Sequence, residues 1–427
     1  MSQHLPKIEL FTERAKLIAN REQTVDVLVR VTPPEAGAPD GGRPKLNLSL
    51  VLDRSGSMEG VKIVRAREAT AFCVDQMLPT DRLSITIFDD RIDLLVPSQL
   101  AENKGGIKEM VSSVQARGAT ALHEAWVRGG MEVSEHLMDQ GINRVLLITD
   151  GLANTGVTST DEIVSQAMGL FQRGVSTSTI GIGDDFNENL LMPMAQAAGG
   201  NAWHVEHADD MQRIFAVELE GLIAQVAHTV TLGLIPADGV RLADALNDFE
   251  LTETGRYRLP NLQAGMPLEI VLQLHVPPQA EGTRLRLLDL RLGFTPQDAK
   301  AAEVVKQVHE VEFASESVVE RLPVVHEVTA AVRLLMNARA RREAIKFMDQ
   351  GDFGSARAVV AQSLHATRQS CDALFQRADV AEECASLESL EASLVDRSQD
   401  KMNRKRLAYQ AMGRSTGRTG PRNTDEE

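Results

Sequence analysis

An apolar run that stops at an aspartate constrains the fold of this chain more than any other feature. Residues 46–58 read LNLSLVLDRSGSM, so hydrophobic residues continue up to Asp53 and then give way to a turn of small residues. A continuous apolar run, followed by a Gly/Ser turn and a helical pattern, is typical of a buried parallel strand that enters its crossover helix. The segment therefore predicts an α/β domain.

The turn after this strand presents only oxygen ligands. Asp53, Ser55 and Ser57 lie at alternate positions. One carboxylate and two hydroxyls suit Mg²⁺, Mn²⁺ or Ca²⁺ better than zinc or copper. By itself the motif does not separate a metal site from ordinary turn chemistry, because Asp, Ser and Gly are all common in turns.

Two later segments supply further oxygen donors. Residues 116–122, ARGATAL, form a predicted loop in which Thr120 precedes a helix. Residues 145–151, VLLITDG, form a second apolar strand that ends in Asp150 and a glycine. Ligands of parallel sheets bind outside the carboxyl ends of the strands. We therefore expect Asp53 and Asp150 to lie together at that edge.

Taken together, these residues resemble the metal-ion-dependent adhesion site of von Willebrand factor A (VWA) domains, over about residues 45–227. The positions occur in the family's order: Asp53, Ser55, Ser57, Thr120 and Asp150. The resemblance implies a Mg²⁺ ion, with Mn²⁺ or Ca²⁺ as alternatives, bound directly by the two serines. It implies that Thr120 binds directly or through water, that the aspartates act through water, and that a Glu or Asp of a partner completes the shell. We expect the Thr120 loop to shift more readily than the serine turn.

Strand and helix patterns alternate throughout this region. The predicted strands cover residues 46–53, 82–89, 92–96, 143–150, 175–182 and 201–206, with amphipathic segments between most of them. Such alternation predicts a doubly wound, mostly parallel, Rossmann-like sheet with helices on both faces. The 82–96 pair, with two aspartates and an arginine between its halves, predicts a hairpin and one antiparallel edge strand.

The segments on either side of the α/β region have β character. Residues 8–32 and 228–313 contain alternating apolar positions separated by Pro/Gly turns. Two N-terminal strands are not stable alone and need a sheet to join. We therefore predict a β-sandwich, made of residues 1–44 and 228–320, into which the α/β domain of residues 45–227 is inserted. Bacterial proteins similar to the inter-α-trypsin-inhibitor heavy-chain type combine a VWA domain with such β segments.

The remaining chain is predicted to be helical and then basic. Residues 321–400 carry helical apolar stripes, with a turn at 349–353 that is similar to a tetratricopeptide-type hairpin; a helical bundle packed on the sandwich is the alternative. Residues 401–424 contain lysines and arginines but no acidic residue. We predict that residues 401–427 form a disordered basic tail.

The composition limits the kinds of function that the protein can have. A formal net charge of −15 disfavours non-specific nucleic-acid binding, which needs a basic surface. The sequence has no run of about 18 apolar residues and no apolar signal core in residues 1–20, so we expect a cytoplasmic protein without a membrane segment. Three scattered cysteines do not form a disulfide framework.

Three functional hypotheses follow from these patterns. The first, which we favour, is a non-enzymatic, metal-dependent module that binds a carboxylate of a protein partner and no small-molecule substrate. The second is a metal-dependent hydrolase using Asp53 or Asp150, although the sequence has no G-x-x-x-x-G-K-[ST] phosphate loop. The third is a scaffold that binds through its C-terminal helices and holds a structural metal. By analogy with cytoplasmic bacterial VWA proteins, an AAA-type ATPase of the chelatase or MoxR class is a partner hypothesis.

Overall fold

The computed structural model describes residues 5–35, 43–370, 377–395 and 400–417. The chain divides into two compact units. One comprises residues 38–224, and the other combines residues 1–37 with residues 225–427. Most of the Pro/Gly-rich stretch at 33–42, Cys371 and the end of the predicted basic tail lie outside the described residues.

Three strands belong to the N-terminal segment. They are β1 (Lys7–Thr12), β2 (Lys16–Ile18) and β3 (Gln23–Thr32). In β3, Val25, Val27, Val29 and Val31 recur every second residue and are buried. Because side chains alternate between the faces of a strand, this spacing directs all four valines to one face.

The unit of residues 38–224 alternates strands and helices. Its elements are β4 (Leu46–Asp53), α1 (Val61–Gln76), β5 (Arg82–Phe88), β6 (Ile92–Leu100), α2 (Lys104–Ser112), α3 (Leu122–Ser134), β7 (Ile142–Thr149), α4 (Thr160–Gln172), β8 (Ser176–Ile182), α5 (Glu188–Ala197), β9 (Gly199–Val205) and α6 (Met211–Ile223). The sheet order is β6-β5-β4-β7-β8-β9, and only β6 runs antiparallel to its neighbour. The predicted mixed sheet with one antiparallel edge strand is confirmed.

Strand β4 lies in the middle of this sheet and is buried along its whole length. Its even-numbered leucines join a core that also contains Ile63 of α1 and Phe215 of α6. On the other face, α3 approaches so closely that a Cβ built on Gly129 would lie 2.4 Å from Val51 Cγ2. Helices therefore cover both faces of the sheet. In such a sheet, ligands bind at the carboxyl ends of the strands.

The second unit contains the remaining elements. They are β10 (Gln225–Pro236), β11 (Arg241–Ala245), β12 (Tyr257–Arg258), β13 (Leu262–Gln263), β14 (Leu268–Val276), β15 (Arg284–Pro296), β16 (Glu303–Ala314), α7 (Glu316–Val319), α8 (His326–Asp349), α9 (Phe353–Gln369), α10 (Ala378–Ser393) and α11 (Asp400–Ser415). The predicted C-terminal helices are confirmed. No helix in the described ranges combines the length and apolar character that a membrane span needs.

The strands of this unit form two sheets around one core. The first has the order β1-β3-β14-β11, and the second has the order β12-β10-β15-β16-β2, with β13 paired to β10. Strand β3 pairs with β14 from Val31 opposite Leu268 to Gln23 opposite Val276. N-terminal and later strands therefore share a sheet, and the need of residues 228–313 for strands 8–32 during folding stays a prediction.

The C-terminal helices pack on each other, and α8 also packs on β3 and β14. Ala344 of α8, Val360 of α9, Leu387 of α10 and Leu407 of α11 belong to one hydrophobic cluster. A second cluster joins apolar residues of α8 to Leu28 and Val271 of the first sheet. Helices α8 to α11 therefore share a core, and α8 packs on the first sheet of this unit.

The predicted disorder of residues 401–427 is wrong for its helical part. Helix α11 extends from Asp400 to Ser415, and Leu407 is buried. Its arginines pair outside the segment, since Arg404 contacts Asp349 and Arg414 contacts Glu383. The prediction failed because it considered charges only within the segment, whereas the acidic partners lie on α8 and α10. Residues 418–427 lie outside the described ranges.

Candidate metal centre

The five predicted ligands converge at the carboxyl edge of the parallel strands. Asp53 ends β4, and the short 3₁₀ turn Gly56–Met58 that follows carries Ser57. Ser57 Oγ lies 3.1 Å from Ser55 Oγ and donates a hydrogen bond of 2.7 Å to Asp150 Oδ1, just beyond β7. A Cβ built on Gly151 would lie 3.1 Å from Thr120 Oγ1 and 3.7 Å from Asp53 Oδ2.

Asp53 is fully buried and held in one orientation. Its Oδ1 accepts a hydrogen bond of 2.7 Å from the Ser55 amide, and its Oδ2 accepts one from the Thr149 hydroxyl. Burial raises the pKa of the Asp53 carboxyl to about 6, and the nearby charge of Asp150 acts in the same direction. A buried carboxylate with a raised pKa is stabilised by a neighbouring cation.

Asp150 is also buried, and it accepts a second hydrogen bond, from a lysine that the sequence patterns did not indicate. Lys62 Nζ lies 2.6 Å from Asp150 Oδ2. The Asp150 side chain has no exposed surface, whereas the Lys62 side chain is 31% exposed. Lys62 is the second residue of α1, the crossover helix after the serine turn. That position was the available signal, because the start of a crossover helix lies near the carboxyl end of its strand.

Backbone hydrogen bonds fasten the Thr120 loop to the serine turn. The Gly56 amide donates to the Gly118 carbonyl at 3.1 Å, and the Arg117 amide donates to the Arg54 carbonyl at 2.7 Å. Gly118 has a φ of +73°, and a Cβ there would lie 2.4 Å from Asp90 Oδ1, so glycine suits this position. These contacts oppose our expectation that the loop shifts readily relative to the turn.

An ion-pair network reinforces the same loop from β5. Asp89 follows β5 and is buried, and its Oδ2 lies 2.9 Å from Arg54 Nε and 2.7 Å from Arg117 Nε. The Asp89 carbonyl accepts a hydrogen bond of 2.8 Å from the Ala121 amide. One buried carboxylate therefore joins the serine turn, the Thr120 loop and the end of β5. The sequence patterns did not indicate this role of Asp89.

The chemistry of the donor set fits a hard divalent ion. All five side chains offer oxygen, which Mg²⁺, Mn²⁺ and Ca²⁺ prefer. The two serine oxygens, 3.1 Å apart, match neighbouring corners of a Mg²⁺ octahedron, for which bonds of about 2.1 Å give a separation of about 3.0 Å. Within the described residues, no group of three or more His, Cys, Asp or Glu side chains could hold a metal. A metal site here would therefore depend on hydroxyls as well as carboxylates.

A comparison with known families agrees with this geometry. The family model for the von Willebrand factor type A domain matches residues 47–217. The chain contains a von Willebrand factor type A domain. The match begins in β4 and ends in α6, so it spans the six-stranded sheet and all five candidate ligands. The resemblance inferred from the sequence is confirmed.

Curated relatives match the VWA domain over part of their length. The chain is 29% identical over 173 residues to the uncharacterized protein sll0103 of Synechocystis, a match that covers 40% of each. It is 27% identical over 201 residues to human inter-alpha-trypsin inhibitor heavy chain H4, which covers 45% of this chain and 21% of the relative. Each match covers less than half of the relative.

A solved structure resembles nearly the whole chain. A von Willebrand factor type A protein from Catenulispora acidiphila aligns with a TM-score of 0.70 and 17% sequence identity. The alignment covers 96% of this chain and 97% of that one. At this level of identity the likeness shows the fold alone.

Proposed function

We propose that the VWA domain is a divalent-metal-dependent protein-interaction module that binds a carboxylate of its partner. VWA domains are commonly metal-dependent interaction modules. The observation that supports this role is the convergence of five oxygen donors at the carboxyl edge of the sheet. Ser57 is exposed, whereas the other four proposed ligands are buried, so an approaching partner meets the centre at Ser57.

The charges of the centre favour an anionic ligand once an ion is present. Asp53 and Asp150 contribute two negative charges, and Lys62 contributes one positive charge, which leaves a net charge of −1. A divalent ion changes this sum to +1. The ion would supply an electrophilic position for a Glu or Asp of the partner, as hard cations prefer carboxylate oxygen.

We propose binding rather than catalysis as the role of the two carboxylates. Asp53 already accepts hydrogen bonds from the Ser55 amide and Thr149, and Asp150 accepts them from Ser57 and Lys62. A general base needs a lone pair directed at its substrate. These occupied oxygens support a positioning role. An AAA-type ATPase as partner and a cytoplasmic location stay predictions from the sequence.

Metal-dependent capture of a partner tests the proposal. The full chain is immobilised and exposed to lysate in Mg²⁺ or in EDTA, beside Ser57→Ala and a control, Ser113→Ala, which removes an exposed hydroxyl on the C-terminal side of α2. We expect the same partner on the wild type and the control in Mg²⁺, and its loss in EDTA and on Ser57→Ala.

Other outcomes identify the competing functions. Capture that survives both EDTA and Ser57→Ala would assign binding to another surface, as in the C-terminal-helix scaffold. Mg²⁺-dependent phosphatase or ATPase turnover that is lost in Asp53→Asn would replace the interaction module with a hydrolase.

A further inference from the structure

The proposed metal centre already contains a cation that belongs to the chain. The Lys62 ammonium contacts Asp150 Oδ2 at 2.6 Å, while Asp150 Oδ1 accepts the Ser57 hydroxyl at 2.7 Å. A Cβ built on Gly183, just beyond β8, would lie 3.6 Å from Lys62 Nζ. The ammonium therefore lies at the strand ends and directly contacts Asp150, a proposed ligand whose other oxygen accepts the Ser57 hydroxyl.

We propose that Lys62 is a built-in competitor of the divalent ion, which neutralises Asp150 and thereby lowers the metal affinity of the centre. This inference rests on the proposed function, since it concerns the same ion. Lys62 does not act as a ligand, because an ammonium has donors only. It acts through Asp150, and it decides how much of that negative charge the ion experiences.

The position of Lys62 is costly for a lysine without such a partner. Lys62 lies in the first turn of α1, where the helix dipole is positive and where α1 has no acidic residue. A cation there is disfavoured. Gly60, with a φ of +81°, turns the chain directly before the helix and so places Lys62 beside the strand ends. The contact with Asp150 offsets the unfavourable dipole.

The direction of the effect follows from charge. Removal of the ammonium changes the net charge of Asp53, Asp150 and residue 62 from −1 to −2, and a doubly charged cation binds the more negative site better. A charge at about 4–6 Å shifts a protonation equilibrium by about 1–3 pKa units, and the same field acts on a metal ion. We therefore expect Lys62→Met to bind Mg²⁺ about tenfold more tightly than the wild type.

The stability of the metal-free chain gives a second readout with the opposite sign. Without its ammonium, the buried Asp150 carboxylate keeps only the Ser57 side-chain donor within the part of the chain that the structure describes. In EDTA, Lys62→Met should therefore lower the Tm by about 3–6 °C. In saturating Mg²⁺ the ion replaces the lost cation, so the gap should shrink. A purely structural lysine would give the same gap in both conditions.

The test uses the full chain and Mg²⁺ alone. Calorimetric titrations and thermal unfolding compare the wild type with Lys62→Met, Lys62→Arg and Lys108→Met. Lys108 pairs with the exposed Asp75 at the far end of α1, so its variant has the same charge change away from the centre. We expect tighter binding only for Lys62→Met and near-wild-type affinity for Lys62→Arg and Lys108→Met.

Each outcome has a defined meaning. If the wild type binds Mg²⁺ and Lys62→Met binds it equally or more weakly, the competitor role is overturned while the proposed function stands. An equal gain in Lys108→Met would reduce the effect to overall charge and would also overturn it. If Mg²⁺ binds none of the variants, the proposed function and this inference fail together.

Discussion

Replacing Asp53 with asparagine separates two effects of its carboxylate, the electrostatic cost in the metal-free protein and the contribution to metal binding. Asp53 is buried, and its two oxygens accept the Ser55 amide and the Thr149 hydroxyl. Asparagine has nearly the same shape and keeps one of the two acceptors. Alanine would leave both donors without an acceptor, so Asp53→Asn is the cleaner change.

The pKa of Asp53 gives the magnitude. Burial, with a smaller contribution from Asp150, raises this pKa from 3.8 to about 6. The folded state then holds the proton more tightly than the unfolded state, so stability is lost as the pH rises from about 4 through about 6. At pH 7 the loss is complete and amounts to about 3 kcal/mol. Asparagine avoids this loss but forfeits one acceptor, worth about 1 kcal/mol.

Thermal unfolding at pH 7 measures both consequences. In EDTA we expect Asp53→Asn to be more stable than the wild type by about 1–2 kcal/mol. In Mg²⁺ at about 100 times the dissociation constant, the wild type should gain about 2.7 kcal/mol, whereas the variant should gain nothing. A variant that is less stable in EDTA, or that gains as much from Mg²⁺ as the wild type, would refute the reasoning.

Three further predictions concern the fold. Gly129→Ala places a Cβ 2.4 Å from Val51 Cγ2 and should cost about 1–3 kcal/mol in urea unfolding. Gly169→Ala in α4, whose Cβ would meet no atom within 4 Å outside the local helix backbone, should be neutral or slightly stabilising. Burial lowers the pKa of His309 to about 4, so as the pH falls the unfolded state is protonated first, and stability decreases between about pH 6.5 and 4. His309→Gln should remove about 1–2 kcal/mol of the stability difference between pH 7.5 and pH 5, a reduced figure because the ring is partly exposed. Leu407→Ala should destabilise the second unit by about 2–5 kcal/mol, and a wild-type midpoint would contradict the packing of α11.

Hydrophobic periodicity predicted most of the VWA fold. The largely apolar run of β4 indicated a strand buried on both faces, and every residue from Leu46 to Asp53 is buried. The polar break at 89–91 correctly placed the β5–β6 hairpin. These features could be predicted from the sequence because burial on one or both faces of a strand determines which positions are apolar.

The contacts that hold the candidate site together were harder to predict from the sequence. Lys62 and Asp89 form contacts with residues 88 and 28 positions away in sequence, respectively. A lysine in a helix and an acid in a turn are normally solvated, so their types alone do not indicate these partners. The same limit applies to α11, whose buried Leu407 and paired Arg404 depend on helices elsewhere in the chain. Local patterns together with the resemblance to VWA domains indicated the five proposed ligands, whereas the fold was needed to find the residues that hold them.

Direct counting of bound ions tests the central claim. Titration of the metal-stripped chain with Mn²⁺, followed by the paramagnetic resonance signal of the free ion, gives both stoichiometry and affinity. We expect one Mn²⁺ per chain for the wild type and for the Ser113→Ala control. The double variant Ser57→Ala/Thr120→Ala lacks two of the proposed hydroxyl ligands, so we expect it to bind no Mn²⁺ at the concentrations that saturate the wild type. Absence of binding in the wild type, or unchanged stoichiometry and affinity in the double variant, would contradict a metal centre at these residues.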